Sequence, residues 1–241
     1  MKKVLVAAAM ILTPAVANAA PIYLDFENIA PYPNNNNVSI GDYYNGGTSS
    51  IGTSGTNYGV QFTTGATLLC LNTAGTTCSN TSRGGQGIST SQFGALYFPS
   101  AGATMNVAAG FNTGFAGVYS NPFGSATTVN IYSGLNGTGT LLATTSLGST
   151  GTGTCNTNIS GGAAYCPFNN FSLGFSGTAM SVVFGGTVNQ QVFDDFTFGS
   201  TTVGGAVPEP ATWAMMMLGF GALGGMLRRR SVTAARVRFA I

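Results

Sequence analysis

Histidine is absent from the chain, and charged side chains make up only 6% of its 241 residues. The first absence removes the commonest general base and every catalytic triad built on histidine. The second removes nucleic acid as a partner, because clustered Lys and Arg are needed to displace counterions from phosphates. A zinc centre is excluded on similar grounds, since there is no histidine and the four cysteines form no C-x-x-C pair. Between the two ends no segment shows a convincing helical period. Carboxylates are scarce too, with Asp25, Glu27, Asp42, Asp194 and Asp195 the only ones before the C-terminal tail. Nothing flanking them resembles a glycosidase pair, and we expect no enzymatic activity.

What charge there is sits mostly at the two ends. Lys2 and Lys3 precede the apolar run Val4 to Leu12, and Ala17-Asn18-Ala19 follows in the small-x-small pattern of a signal peptidase site. Residues 1–19 therefore read as an export signal cleaved before Ala20. Five more basic residues (Arg228, Arg229, Arg230, Arg236 and Arg238) lie beyond a second apolar run. Only Arg83 remains between the ends, so the sequence pI of about 8.4 hides an acidic body with four net negative charges. The stretch from Ala211 to Leu227 is 17 residues long, at the short end of what spans a bilayer as a helix. The arginine cluster acts as its stop and puts the C-terminal side in the cytoplasm. Just before it, Pro208 and Pro210 fix backbone φ and remove amide donors, holding Glu209 in an extended segment that a protease cleft can bind. Trp213 falls where the apolar span meets water.

Pro208-Glu209-Pro210-Ala211-Thr212-Trp213-Ala214, the apolar run and Arg228–Arg230 together resemble the PEP-CTERM sorting signal of Gram-negative bacteria, in its PEPxxWA form. That resemblance implies processing by an exosortase, an integral-membrane cysteine protease, after signal peptidase has acted at the other end. It also implies transient anchoring in the inner membrane, then delivery to the cell surface, outer membrane or extracellular polysaccharide matrix. The stretch 231–241 departs from the family pattern by continuing past the arginines, as a cytoplasmic tail.

The body, residues 20–198, is rich in Gly, Ser, Thr and Asn, with short bursts of aromatic and β-branched residues between them. The bursts read as strands at Ile22–Phe26, Tyr58–Phe62, Ala95–Phe98, Thr104–Ala108, Phe115–Tyr119, Thr127–Tyr132, Leu141–Ser146, Phe171–Phe175, Met180–Phe184 and Val192–Phe198. In the last of these, period two would put Val192, Asp194, Phe196 and Phe198 on one face and Phe193, Asp195 and Thr197 on the other. Val129 to Leu142 reads as a hairpin with a polar turn. Asn34–Asn37 and Gly46–Thr56 read as loops, and 199–207 as the linker to the tail. The fold class we expect is all-β, an antiparallel sandwich of jelly-roll type with a signal helix before it and one transmembrane helix after.

In an oxidising compartment Cys70, Cys78, Cys155 and Cys166 should form two disulfides. Three connectivities are open, of which 70–78 and 155–166 close the smallest loops. Asp25 and Glu27 share a face of the first strand, and Asp194 and Asp195 lie in the last. First and last strands are commonly neighbours in sandwiches, so the four acids would either converge on a calcium ion or face solvent and cap turns. Their layout resembles that of galactose-binding-like jelly rolls, which implies a structural calcium between those strands. Tyr43, Tyr44, Tyr58, Tyr119, Tyr132 and Tyr165 offer faces on which sugars can stack. Two functions fit: an exported surface protein whose body binds carbohydrate, or a structural matrix or adhesion protein without specific glycan affinity.

Overall fold

The glycine- and asparagine-rich breaks cut the body into short strands, which can bury their apolar residues only by stacking two sheets. The computed structural model describes residues 20–33, 37–63, 65–71, 93–100, 102–152, 167–204, 216–222 and 224–225. Among them run β1 (Ile22–Leu24), β2 (Val38–Ser39), β3 (Val60–Phe62), β4 (Thr67–Cys70), β5 (Gly94–Tyr97) and β6 (Ala103–Phe111). They are followed by β7 (Gly114–Ser120), β8 (Thr127–Tyr132), β9 (Leu141–Ser146), β10 (Asn169–Gly174), β11 (Ala179–Gly186) and β12 (Val192–Phe198). One sheet has seven strands in the order β10-β7-β12-β5-β4-β2, with β1 also on β12; the other has five, β3-β6-β11-β8-β9. All pairings between them are antiparallel. The protein is an antiparallel β-sandwich, as its strand pattern leads one to expect.

Phenylalanine fills the space between the sheets. Phe184 of β11 stacks on Phe196 of β12 at 5.0 Å between centroids and 2° between planes. Phe26, Phe115, Phe171 and Phe193 surround Phe196 within 6.3 Å. Gly117 makes this possible, because a Cβ there would lie 2.8 Å from the Phe196 ring and 2.9 Å from that of Phe171. A second cluster, Leu69, Leu71, Ala95, Tyr97 and Val192 with Phe168 against it, occupies the opposite face of the larger sheet. Leu68 and Leu96, one residue along from these, point into the main core instead.

The expected hairpin forms between β8 and β9, its turn wound into a short 3₁₀ segment at Leu135–Gly137. Asn136 takes φ 55° there and exchanges two 2.8 Å hydrogen bonds with Asn106 of β6. Strands β2 and β4 come where no strand was expected. The simple alternation expected of the last strand does not hold. Val192 joins the second cluster, whereas Phe193, Phe196 and Phe198 all enter the main core. The cause is a bulge: Asp194 pairs with Val118 and Thr197 with Ala116, so β12 advances three residues while β7 advances two. Asp195, at φ 53°, is the residue that turns the strand.

Residues 216–222, 224 and 225 are helical and exposed. Among the described residues no helix is long and apolar enough to cross a membrane. Nearly half of the expected span 211–227, residues 211–215, 223, 226 and 227, lies outside them. So do the signal-cleavage residues Ala17 and Ala19, the motif Pro208, Glu209, Pro210, Trp213 and Ala214, and Arg228, Arg229 and Arg230. Cys70, buried at the end of β4, does not occur as a free thiol; Cys78, Cys155 and Cys166 are again outside the described residues.

Candidate functional site

The bulge in β12 marks a change of partner. On one edge β12 pairs with β5 at Val192 and Phe193, then with β1 at Phe196 to Phe198. Asp194 and Asp195 sit where β5 leaves off and β1 begins. The chain leaving β1 carries Asp25 and Glu27 to the same place, so first and last strands are neighbours as expected. Glu27 joins β1 to β5, its Oε1 accepting the amides of Phe93 at 2.9 Å and Gly94 at 3.2 Å. Gly94 is required here, for a Cβ would stand 2.2 Å from the Phe26 carbonyl oxygen. Phe26 takes φ 55° and gives its amide to the Tyr44 hydroxyl at 3.1 Å, which fixes that ring beside the strand end.

The result is a cleft of about 380 Å³ beside β1. Its walls include Tyr23, Asp25, Glu27, Tyr43, Tyr44 and Tyr58. Tyr43 and Tyr44 are buried and meet edge to face at 4.8 Å, while Tyr58 is 36% exposed and lies 6.2 Å from Tyr44. Gly55 lets the loop close over Tyr43, since a Cβ there would come within 2.4 Å of its ring. Burial raises the Tyr44 hydroxyl well above the ordinary tyrosine range, and the Asp25 carboxylate adds to the rise. Tyr43 is raised by the same two causes in the same order. Both phenols therefore stay protonated at neutral pH, available as neutral donors or acceptors.

Asp195 lies behind the Tyr23 wall, fully buried. The Tyr23 hydroxyl donates to its Oδ1, and its Oδ2 has no hydrogen-bond partner. Burial pushes its carboxyl up from 3.8 to about 6; the Tyr23 bond works against the rise, and the charges of Asp25 and Glu27 reinforce it. Asp194 is also fully buried and accepts the Asp195 amide at 2.8 Å through Oδ1. The four acids are therefore gathered along one seam but not into one ligand set. Among the described residues no three acidic, cysteine or histidine side chains stand together as a metal ion would require. Glu27 and Asp25 instead turn oxygens toward backbone amides, Asp25 Oδ1 accepting that of Glu27 at 3.1 Å.

Three of the six expected tyrosines, Tyr43, Tyr44 and Tyr58, reach the cleft. Tyr119 is buried and packs on Phe171, Tyr132 is half-buried in the other sheet, and Tyr165 is outside the described residues. Tyr23 was not among the expected residues, although its place two before Asp25 in the first strand puts both on one face.

Residues 206–230 match the PEP-CTERM protein-sorting motif. The chain thus carries a signal for sorting to the cell envelope or surface. No curated protein matches the chain. Among solved structures it is similar to a family 6 carbohydrate-binding module at 18% identity and TM-score 0.33, covering 59% of this chain and 87% of that one. A module from Clostridium stercorarium in complex with cellobiose gives 18% identity and TM-score 0.33, covering 56% and 82%. The catalytic domain of a GH87 alpha-1,3-glucanase gives 13% and 0.32, covering 63% of this chain and 30% of that one. At such scores the architecture rests on the chain's own strand pairings.

Proposed function

We propose that this chain is an exported, non-catalytic carbohydrate-binding protein, processed by an exosortase and displayed at the surface or in an extracellular polysaccharide. The observation that carries the reading is the cleft beside β1, where tyrosine rings and carboxylates line one concave surface. Sugar rings present apolar C–H faces and hydroxyl edges, and these two kinds of side chain complement them. The sorting motif supplies a destination where polysaccharide is at hand. Disulfides 70–78 and 155–166 are part of the same reading, as staples for a domain that works outside the cytoplasm.

Affinity electrophoresis of the full chain through gels containing neutral and charged polysaccharides tests it. Retardation by at least one glycan, lost in Tyr58→Ala, is the expected result. Absence of retardation by any glycan, with concentration-dependent assembly of the chain instead, would favour the structural matrix protein. Deleting Pro208-Glu209-Pro210 should hold a tagged chain at the inner membrane; unchanged delivery would refute the sorting route. A structural calcium at Asp25, Glu27, Asp194 and Asp195 is the weaker proposal on this geometry. A rise in melting temperature on titrating the chain with calcium chloride would establish it.

A further inference from the structure

Each sheet ends in two outer strands, and proteins blunt such edges with charge, proline or brevity to keep other chains from adding to them. In the larger sheet β2 has only two residues, while β10 opens on Asn169 and Asn170 and closes on Gly174, all poor strand formers. In the smaller sheet β3 has three residues, with Asp42 beside it accepting from Gln61 Nε2 at 3.0 Å. The six residues of β9, Leu-Leu-Ala-Thr-Thr-Ser, have none of these protections. Among the described residues β9 pairs with β8 alone, and Leu142 and Ala143 pack on the core to hold it in place. Leu147 donates its amide to the Thr127 carbonyl at 2.9 Å, so by alternation Thr145 and Ala143 also bond β8. Thr144 and Ser146 therefore turn their amides and carbonyls away from it. Both are exposed, as is Leu141 at 47%. Among the described residues no partner outside β8 takes up those backbone groups.

We propose that β9 is a docking edge for a second copy of this chain: the two β9 strands pair antiparallel about a two-fold axis at Thr144, joining two five-stranded sheets into one. Thr144 then exchanges both of its outward backbone bonds with the same residue of the other copy, and no charged side chain stands on either strand. The placement of the acids favours this edge. Asp25, Glu27, Asp194 and Asp195 gather where β1 meets β12 in the other sheet, and Asp42 lies beside β3, at the far end of the smaller one. Copies joined through β9 keep these carboxylates apart. The cleft beside β1 stays open, so the interface serves a glycan-binding chain and a structural one alike.

Sedimentation velocity of the full chain over a concentration series should show a monomer–dimer equilibrium. Thr144→Pro removes an outward amide but no bond to β8, and Thr144→Lys sets two like charges face to face at the axis. Each should weaken dimerisation by about tenfold or more. Lysine leaves the backbone intact and carries the test if proline disturbs the strand. Under diamide oxidation Thr144→Cys should give a covalent dimer, because the Cα atoms of a bonded pair lie about 5.5 Å apart, within disulfide reach. Ser172→Cys, exposed on β10, should give none. A chain that stays monomeric at every concentration would overturn the proposal. So would cross-linking through residue 172 and not 144. Dimerisation that survives Thr144→Lys would overturn it as well and point to the apolar C-terminal run.

Discussion

Replacing Asp195 with asparagine should make the protein more stable at neutral pH, and the gain should vanish in acid. Asp195 is fully buried, with one oxygen held by Tyr23 and the other without a donor. Its carboxyl titrates at about 6 in the folded chain against 3.8 ordinarily, so between those values the folded state holds a proton that the unfolded state has lost. Stability therefore falls as pH rises through this window: the neutral carboxyl's advantage is complete below about 4 and gone above about 6. Two pH units of difference correspond to roughly 3 kcal/mol. Asparagine is uncharged throughout, keeps an oxygen for the Tyr23 hydroxyl, and tolerates φ 53° at least as well as aspartate. Melting curves of wild type and Asp195→Asn, taken from pH 4 to pH 7, should diverge by roughly 5–10 °C at the upper end for a domain of this size. Comparing the two proteins cancels the titration of the other carboxylates. A difference that is the same at pH 4 and pH 7 would refute the argument that the buried charge costs stability.

Three further substitutions probe the framework around the seam. Glu27→Gln keeps an acceptor but removes its charge, so protection of the Phe93 and Gly94 amides against hydrogen exchange should fall by about fivefold, equivalent to about 1 kcal/mol; unchanged exchange at those two amides would show that Glu27 does not tie β1 to β5. Gly117→Ala pushes a methyl against Phe196 and Phe171 and should lower the urea midpoint by the equivalent of about 1–3 kcal/mol, and an unshifted midpoint would mean the core is looser than its geometry. Asn106→Leu strips the Asn136 amide of its acceptor and should cost about 1–3 kcal/mol by denaturation, whereas a neutral effect would show that the β8–β9 turn does not depend on that pair.

Alternation reveals a strand that buries one face, whereas strands buried on both faces, such as β5, β7 and β12, are legible only through their bursts of aromatic and β-branched residues. β8 alternates buried and half-buried residues along Thr127–Tyr132, and its bounds are those its pattern suggests. β4, Thr67–Cys70, is buried at all four positions because Leu68 enters the main core and Leu69 the second cluster. A run of four residues without alternation gives no period to read. β2 has only two residues, too few to carry a pattern. The candidate site was legible to a similar depth. The pairing of first and last strands, and hence the meeting of Asp25, Glu27, Asp194 and Asp195, follows from general sandwich topology. The cleft itself depends on where the loop after β2 returns Tyr43, Tyr44 and Tyr58, which nothing in their spacing specifies.

The bulge in β12 accounts for where two of the four gathered acids lie. In a regular strand Asp194 and Asp195 would point to opposite faces, one of them into the phenylalanine core. The extra residue at Asp195 lets Phe193 and Phe196 both enter that core although they are three apart, an odd spacing that straight pleating forbids. It also places the Asp195 carboxyl against Tyr23 at the point where β12 exchanges β5 for β1. The same local departure therefore completes the packing of the sandwich and loads its seam with negative charge. Moving the bulge by one residue would bring Phe196 out of the core and Asp195 away from Tyr23 together.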